Sequence, residues 1–391
     1  MAETKRPPVR PTWVEINLDH LKHNFNALKN LAGTSKMMGV VKADGYGHGA
    51  VEIARELAVL GVDYLAVATL DEAVQLREAD ITLPILILGY TPADHIDYCL
   101  DYGITPTVYT RDVARKCSDY GEKTHGKANI HIKVETGMGR IGVSPDQALD
   151  FIQAVGRYPG LEIEGVFTHF SSADEKDKSY THYQLSTFNA ILESLASHGI
   201  KIPLKHAANS PAAISMPESH LDMVRVGLCL YGLYPAPHMQ SLIALKPVIN
   251  VKSRVSFIKT VPEGTAISYG RKYVTDEERI IGTLPLGYAD GFTRLFTNRA
   301  EVLIHGQRVP VIGAVCMDQT MFLGDKVPEA KMGDEVVIIG HQGNEAITVE
   351  ELADKMGTIN YEMVTMLDQR VPRLYWKDGE LVREKGLNWI R

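Results

Sequence analysis

Lys42 stands at the end of an apolar stretch and is followed at once by glycines and polar residues. The stretch reads VVKADGYGHGA over positions 40–50. Apolar residues up to Val41 predict a buried strand, and the apolar spacing from Gly49 to Leu60 predicts a helix. A lysine at the inner end of a buried strand loses hydration, which lowers the pKa of its amine and frees it for Schiff-base chemistry with a carbonyl. A solvated lysine at a strand end is the ordinary alternative, and position alone does not exclude it.

Other polar residues follow later apolar runs in the same way. Eight such runs predict strands, and helical segments separate most of them, which indicates a (β/α)8 TIM-type barrel. In such a barrel the active site lies at the carboxyl ends of the strands. The predicted strand ends carry Lys42, Lys133, the segment Glu135–Gly142 with Arg140, His169, His206, Asn209, Ser210 and Arg225.

The segment that follows the seventh predicted strand has the composition of an anion site. Asn209, Ser210 and Pro211 predict a helix start with a capping side chain and a proline in the first turn. Helix N-termini present N–H groups to anions, and barrels often bind phosphate at the loops after strands seven and eight. Gly227 allows the backbone of the neighbouring loop to come close. An ordinary capped helix remains the alternative interpretation.

The sequence favours neither a dinucleotide site nor a metal site. The stretch GMGRIG at 137–142 fits the dinucleotide pattern, but the next helix is predicted to begin at Ser144 and Pro145, outside the glycines. Arg140 is instead a fixed cation for a carboxylate or phenolate, and Lys133 on the preceding strand supports it. The histidines show no HxH or HExxH spacing, so no metal site is predicted.

Composition narrows the class of protein further. The chain has 391 residues, a formal net charge of −7 and 45% hydrophobic residues. The sequence has no block of Lys and Arg that would bind a nucleic-acid backbone, and no run of about 20 apolar residues that would span a membrane. The first residues lack the apolar stretch of a secretory signal. We therefore expect a cytoplasmic protein without nucleic-acid or membrane partners. The four cysteines form no CxxC pair and are expected to be reduced and mostly buried.

The composition changes after about Tyr234, where prolines precede several β-type runs. We predict a barrel over 1–240 and a mainly β domain over 241–391, in which only Thr348–Met356 is clearly helical. The strand-like segment 12–18 is expected to pack on the second domain. That domain places Tyr269, Tyr288, Cys316, Met317 and Asp318 in predicted turns, although a single tyrosine near a turn usually packs or lies exposed.

The order of these motifs resembles the alanine racemases, pyridoxal-phosphate enzymes of fold type III. The chain carries VVKADGYGHG, ETGMGRIG, THF, HAANS, VRVGLCLYG, ISYGR, LGYADG, VCMDQ and NYE in that order, and the resemblance runs from about Thr12 to Leu374. It implies a Schiff base between Lys42 and pyridoxal 5'-phosphate. It also implies that Lys42 is the acid/base on one face of the substrate and that Tyr269 of the partner subunit is the acid/base on the other face.

The resemblance further implies roles for the remaining site residues. Arg225 would partner the pyridine nitrogen, His169 would lie against the cofactor ring, and Arg140 would contact the phenolic oxygen and the substrate carboxylate. The phosphate would be bound by Tyr46, Ser210, Gly227, Leu228 and Tyr361, with Asn209 beside them. Met317 of the partner would bind the carboxylate through its backbone, and Tyr288 and Tyr361 would narrow the entrance. Lys133, His206, Cys316 and Asp318 are expected to support the site.

The function that follows is the interconversion of L-alanine and D-alanine by a homodimer with shared active sites, supplying D-alanine for peptidoglycan. Several alternatives stay open at this point. They are a racemase for serine or another amino acid, a D-hydroxyamino-acid aldolase of the same fold, and a non-catalytic pyridoxal-phosphate carrier. The aldolase requires metal ligands that the sequence does not assemble, and the second domain with Tyr269 and Met317 argues against the carrier.

Overall fold

The computed structural model describes residues 10–386, which divide into two compact units. The barrel unit comprises 20–45 and 49–246, and the β unit comprises 10–19, 46–48 and 247–386 among the described residues. The predicted boundary lay at 240/241, whereas the β unit of the structure resumes at Pro247. The short segment 46–48, directly after Lys42–Gly45, is grouped with the β unit.

The barrel unit is built on eight parallel strands, as predicted. After β1 (Thr12–Asn17), which belongs to the β unit, come β2 (Lys36–Val40), β3 (Tyr64–Val67), β4 (Ile85–Ile87), β5 (Thr105–Val108), β6 (Ala128–Lys133), β7 (Leu161–Phe167), β8 (Leu204–His206) and β9 (Met223–Val226). The strand order is β8-β7-β6-β5-β4-β3-β2-β9. The barrel nearly closes between β8 and β9, where the Asp222 N–H donates to Lys205 O and the Arg225 N–H donates to Ala208 O, both at 3.0 Å.

Helices alternate with these strands and cover the barrel. They are α1 (Leu18–Ala32), the single turn α2 (Lys42–Tyr46), α3 (Ala50–Leu60), α4 (Leu70–Glu78), α5 (Ile96–Asp101), α6 (Arg111–Lys123), α7 (Pro145–Val155), α8 (Ser179–Ser197) and α9 (Ser210–Ser215). Helix α7 begins after Ser144, so the prediction that no helix starts inside GMGRIG is confirmed. The strands are apolar almost throughout because both faces of a barrel wall are covered, and all four residues of β3 are buried.

The β unit is dominated by one eleven-stranded sheet. Its order is β11-β14-β17-β16-β15-β18-β10-β1-β20-β21, with β19 on β18, while β12 and β13 form a separate pair. The strands that follow β9 are β10 (Ile249–Arg254), β11 (Phe257–Val261), β12 (Ala266–Ile267), β13 (Tyr273–Val274), β14 (Arg279–Leu284), β15 (Glu301–Ile304), β16 (Gln307–Ile312), β17 (Thr320–Leu323), β18 (Glu335–Gln342), β19 (Glu345–Ile347), β20 (Arg373–Lys377) and β21 (Glu380–Lys385). Strand β1 lies between β10 and β20, antiparallel to the first and parallel to the second.

The β unit contains one more helix than the sequence predicted. The predicted helix is present as α10 (Val349–Met356), with Thr348 accepting the Glu351 N–H as its cap. The expectation that no other segment is clearly helical was wrong, because α11 (Asn360–Thr365) follows. Six residues give too short a pattern to show helical periodicity, and contacts with α10 stabilise this turn.

Two compositional predictions can be compared with the described residues. All four cysteines are free thiols; Cys99, Cys117 and Cys229 are buried and Cys316 is partly exposed. Over residues 10–386, no helix is long and apolar enough to cross a membrane.

Gly47 gives a direct test of packing in the β unit. It has a φ of +79°, and a Cβ atom on it would lie 2.1 Å from the carbonyl oxygen of Val364. Gly61 has a similar φ of +83° but open space around it. We expect Gly47→Ala to lower the free energy of unfolding by about 3 kcal/mol and Gly61→Ala by only about 1 kcal/mol, measured by urea denaturation. Equal losses in the two variants would contradict the close approach to Val364.

Candidate active site

Lys42 opens a left-handed turn, a backbone conformation that L-residues avoid. Ala43, Asp44 and Gly45 have φ values of 52°, 50° and 62° with ψ values between 42° and 51°. For non-glycine residues this conformation costs about 1–2 kcal/mol each. The sequence predicted a flexible glycine-rich turn here, and the structure instead has a regular left-handed one.

Hydrogen bonds from both sides hold this turn within the barrel unit. The Ala43 N–H donates to Glu72 Oε1 at 2.6 Å, and the other oxygen of Glu72 accepts the Ala68 N–H at 2.7 Å. Asp44 accepts the Ala50 N–H through its side chain and the Gly49 N–H through its carbonyl, at 2.9 and 2.7 Å. The strain is therefore offset by capping bonds at the ends of α3 and α4.

The environment of Lys42 favours its uncharged amine. Burial lowers the pKa of Lys42 most, the positive charge of Arg140 lowers it further, and the carboxylate of Glu72 raises it in part. Near neutral pH a larger fraction of Lys42 is thus neutral than for an ordinary lysine, and a neutral amine is the nucleophilic form.

Arg225 lies buried in β9 and is held by five polar contacts. Its Nη1 donates to His206 Nδ1 at 3.0 Å and to His206 O at 3.1 Å. Its Nη2 donates to Thr168 O at 2.7 Å, Ala207 O at 3.0 Å and His169 Nδ1 at 3.3 Å. Burial and then the charge of Arg140 lower its pKa to about 9, so it remains a cation at neutral pH. The five acceptors are three backbone carbonyls and two imidazole nitrogens, so these hydrogen bonds give the positive charge no carboxylate.

His169 is the neutral centre of a group of cations. Burial lowers its pKa well below the usual range, and the charges of Arg225, Arg140, Lys133 and Lys42 lower it further, in that order. Its Nδ1 accepts from Arg225, so its proton is on Nε2. A neutral imidazole among cations suits contact with an electron-poor or anionic group.

Lys133 is the second lysine of lowered basicity in the barrel. Burial lowers its pKa to about 8, with Glu135 raising it and Arg225 and Arg140 lowering it. Its Nζ donates to Val134 O at 2.8 Å and lies 5.7 Å from the centre of the Phe167 ring. Arg225 lies over the same ring at 5.4 Å.

The loop that carries Arg140 is organised by Glu135. Its carboxylate accepts the backbone N–H groups of Gly137 and Met138, and that of Arg140 at 3.2 Å. Burial alone raises the pKa of Glu135, but these hydrogen bonds outweigh it and the net shift is downward. The carboxylate thus stays charged and fixes the backbone on which Arg140 stands.

The two loops predicted to bind phosphate are joined directly. Asn209 caps α9 by accepting the Ala212 N–H at 3.3 Å, as predicted. Ser210 Oγ accepts the Gly227 N–H at 2.8 Å, immediately before the 3₁₀ turn that begins at Leu228. Side-chain hydroxyl and backbone groups are therefore brought together at the ends of β8 and β9.

A second group of predicted residues lies on loops of the β unit. Tyr288 donates its N–H to Cys316 O at 3.0 Å, and Ala289 donates to Met317 O at 3.0 Å. Ser268 Oγ donates to Ala314 O at 2.6 Å and lies 3.3 Å from Cys316 Sγ. Tyr269, Tyr288 and Met317 are 73%, 40% and 53% exposed. The predicted residues of this unit are thus held close together, with their side chains accessible.

Asp290 holds the loop of Tyr288 in place through its side-chain carboxylate. Its carboxylate is fully buried and accepts from Arg10 at 2.6 Å, from Arg370 at 2.5 Å and from the Gly287 N–H at 2.9 Å. Arg370 also donates to Asp318 at 2.6 Å, so this arginine joins Asp318 to the buried carboxylate of Asp290. In the same unit the rings of Tyr46 and Tyr361 lie 6.3 Å apart.

The structure therefore brings the predicted residues together in two groups, one in each unit. The barrel group contains Lys42, Lys133, Arg140, His169, His206, Asn209, Ser210, Arg225, Gly227 and Leu228, and the β-unit group contains Tyr46, Tyr269, Tyr288, Cys316, Met317, Asp318 and Tyr361. Sequence reasoning missed Glu72, Ser268 and Asp290. Glu72 had a local signal, since Thr69 and Glu72 form the T-x-x-E capping box. Ser268 and Asp290 had none.

A barrel with an activated lysine and several cations around a neutral imidazole at its strand ends defines an enzyme that acts through an amine. Comparison with known proteins narrows this class of enzyme to one family. The family model for the alanine racemase N-terminal domain matches residues 16–235, and that for the C-terminal domain matches residues 248–375. The chain therefore belongs to the alanine racemase family, whose members are isomerases.

Individual relatives cover nearly the whole chain. An alanine racemase of Clostridium novyi (strain NT) is 45% identical over 381 residues, which are 97% of this chain and 98% of that protein. The structure of an alanine racemase from Clostridium difficile 630 has a TM-score of 0.93 and 42% identity, covering 97% of this chain and 99% of that one. An alanine racemase from Bacillus anthracis, solved with bound L-Ala-P, has a TM-score of 0.92 and 36% identity, with coverage of 97% and 99%.

Ser268 precedes Tyr269 in a backbone conformation that only glycine adopts freely, with φ 63° and ψ −175°. Removing its hydroxyl costs a hydrogen bond worth about 1 kcal/mol, whereas glycine also relieves about 1–3 kcal/mol of strain. We expect Ser268→Gly to be more stable than Ser268→Ala by about 1–3 kcal/mol in urea unfolding.

The matched control for this comparison is Ser256, whose hydroxyl also donates to a backbone carbonyl, that of Thr283, and whose φ is not positive. There the order should reverse, with Ser256→Ala more stable than Ser256→Gly. The same order at both positions would refute the strain assigned to Ser268.

Proposed function

We propose that this chain interconverts L-alanine and D-alanine with pyridoxal 5'-phosphate bound at the barrel, and that it supplies D-alanine for bacterial peptidoglycan in the cytoplasm. The alanine racemase family is known to use this cofactor. The observation that carries the proposal is the lowered pKa of Lys42 at a strand end of the same barrel that buries Arg225. The B. anthracis relative with bound L-Ala-P supports alanine as the substrate.

The residues present fit such a cofactor by their chemistry. A neutral lysine amine suits the aldehyde, and Arg225, Arg140 and Lys133 supply positive charge for a phosphorylated, phenolic ring. The joined loops of Ser210 and Gly227 offer hydroxyl and backbone groups to a phosphate. We assign cofactor binding to Lys42, Tyr46, Arg140, His169, Asn209, Ser210, Arg225, Gly227, Leu228 and Tyr361.

Racemisation requires two acid/base groups on opposite faces of one carbon. When bound, pyridoxal phosphate withdraws electrons from the substrate and so acidifies its Cα–H bond. Lys42, whose pKa is lowered chiefly by burial, takes or returns the proton on one face. Tyr269 does the same on the other face through its phenolic oxygen.

Arg225 limits the chemistry to proton exchange. A guanidinium is only a donor and keeps its charge at neutral pH, so Arg225 offers a hydrogen bond to a ring nitrogen without giving it a proton. Electron withdrawal from the substrate is then weaker, which disfavours transamination and decarboxylation. Arg140 and the Met317 backbone bind the substrate carboxylate, and Tyr288 and Tyr361 restrict the side chain to a small one.

We further propose a homodimer in which Tyr269 and Met317 of one protomer serve the barrel of its partner. The support is their exposure: both side chains are more than half accessible on ordered loops of the β unit. Exposed aromatic and methionine side chains are typical of surfaces that a protein partner covers. In a twofold dimer, the surface with Tyr269 and Met317 on each protomer would complete one active site, that of its partner.

Chiral analysis of the product tests the reaction. Purified protein with pyridoxal phosphate should convert L-alanine toward equal L and D forms, faster than L-serine or other L-amino acids. Lys42→Ala should lower the rate by at least about a thousandfold, because the barrel then lacks its amine. Lys22→Ala, on an exposed position of α1, should leave the rate unchanged. Faster racemisation of serine, or full activity of Lys42→Ala, would overturn the proposal.

A mixing experiment tests the shared active site. Lys42→Ala and Tyr269→Ala should each be nearly inactive alone. If sites are shared, random exchange gives half mixed dimers with one intact site in two, so about a quarter of the wild-type activity should return. Either variant refolded with itself is the control. No recovery in mixtures that sedimentation shows to be mixed dimers would refute the sharing of Tyr269.

A further inference from the structure

A chain of buried polar side chains leads from Arg225 back into the barrel. Arg225 Nη1 lies 3.0 Å from His206 Nδ1, and His206 Nε2 lies 2.8 Å from His131 Nδ1. His131 Nε2 then lies 3.4 Å from Glu164 Oε2. Both imidazoles are fully buried, and Glu164 is the carboxylate at the end of the chain. None of the steps proposed for catalysis uses His131 or Glu164.

The chemistry of the two ends fixes the direction of every hydrogen bond. Arginine only donates, so His206 Nδ1 must accept and the proton of His206 must be on Nε2. His206 therefore donates to His131 Nδ1, and the proton of His131 must be on Nε2 as well. A carboxylate only accepts, so Glu164, whose oxygen lies 3.4 Å from His131 Nε2, suits this N–H by charge, although their alignment does not form a hydrogen bond. Any other tautomer would set two N–H groups against each other.

The protonation states of the three titratable groups agree with these hydrogen-bond directions. Burial lowers the pKa of His131, and it lowers that of His206 well below the usual range, so both rings are neutral near pH 7. Burial raises the pKa of Glu164, but the neighbouring His131 and the hydrogen bond from Tyr64 together lower it more, and the net shift is downward. The chain thus joins a cation to an anion through two neutral rings.

The barrel wall is shaped to hold these rings. The register between β6 and β7 shifts between Ile130 and His131, a bulge that re-aims the side chain. A Cβ on Gly165 of β7 would lie 2.5 Å from His131 Nδ1, so only glycine leaves room for the ring. Phe167 stacks on His206 with ring centres 4.8 Å apart and an angle of 4°.

The carboxylate end is anchored near the start of other strands. Tyr64, the first residue of β3, donates to Glu164 Oε2 at 2.9 Å, and its hydroxyl lies 3.2 Å from the hydroxyl of Thr105, the first residue of β5. The chain therefore runs from the carboxyl ends of β8 and β9, where the site lies, toward the opposite end of the barrel.

We propose that Glu164 and His131 are positioning residues for Arg225, fixing the orientation of its guanidinium through His206. No proton moves along the chain; it acts by holding each ring in one tautomer and one orientation. The negative charge of Glu164 compensates that of Arg225 from a distance, through the two imidazole rings. Within the described part of the chain, no carboxylate therefore contacts Arg225 directly, and its guanidinium acts at the site as an unpaired cation. The orientation is argued from the structure alone, and its effect on catalysis rests on the proposed function.

Imidazole ¹⁵N NMR of histidine-labelled protein tests the tautomers independently of activity. The signals are assigned with His131→Asn and His206→Asn, which each remove one resonance. In the protein without cofactor, both rings should be neutral with the proton on Nε2 between about pH 7 and 8, just above the pH at which an ordinary histidine titrates. Titration of either ring in that range, or a proton on Nδ1, would overturn the proposal.

Variants at Glu164 test the consequence. Glu164→Ala removes the carboxylate that faces the His131 N–H and should lower kcat on the order of tenfold with KM changed less than about twofold, as for groups that orient a neighbour of the reacting site. Glu164→Gln keeps an acceptor oxygen and should retain at least about a third of kcat. Glu162→Ala, on the same strand with an exposed ion pair to Lys127, is the matched control and should behave as wild type.

The outcomes separate the possible failures. A folded Glu164→Ala protein with wild-type kcat would refute the positioning role, and so would equal losses in Glu164→Gln and Glu164→Ala. If Glu164→Ala does not fold, the comparison of Glu164→Gln with wild type and the tautomers of the two rings still decide. If wild-type protein racemises no amino acid, the proposed function fails, while the NMR result continues to test the chain from Arg225 to Glu164.

Discussion

The site of this protein depends on one constraint: Arg225 must stay charged while buried. A buried cation needs acceptors, and the structure supplies three backbone carbonyls and two imidazole nitrogens from the ends of β7 and β8. Those acceptors require His169 and His206 to be neutral, and burial ensures this. Burial therefore sets the neutral state of both imidazoles, and the charge of Arg225 reinforces it.

The same charges act on the lysines. Burial lowers the pKa of both Lys42 and Lys133 most, and Arg140 lowers both further, so the cation that we propose for binding an anion also favours the neutral amines. The half-buried carboxylate of Glu135 counteracts this effect in part, because it raises the pKa of Lys133.

The sequence predicted those features of the fold and site that depend on residues close together in the chain. The alternation of strands and helices is local, so the barrel and the strand ends with Lys42, His169 and Arg225 were predicted from it. The capping of α9 by Asn209 was local too. Contacts between distant segments left no such pattern: Glu164 and His131 are separated in sequence and resemble ordinary strand residues, and Ser268 gives no sign that it adopts a glycine conformation. Pairing of side chains across a barrel is a property of register, which the sequence does not show.

The left-handed turn after Lys42 shows how a local rule is overruled. Ala43 and Asp44 disfavour this conformation, yet Glu72 accepts the Ala43 N–H and Asp44 caps the start of α3. The carboxylate of Glu72 that offsets the strain is also the negative charge that partly counteracts the fall in the pKa of Lys42. Glu72 therefore couples the geometry of the turn to the basicity of the Lys42 amine. A change in the position of this carboxylate would alter both the turn and the pKa of Lys42.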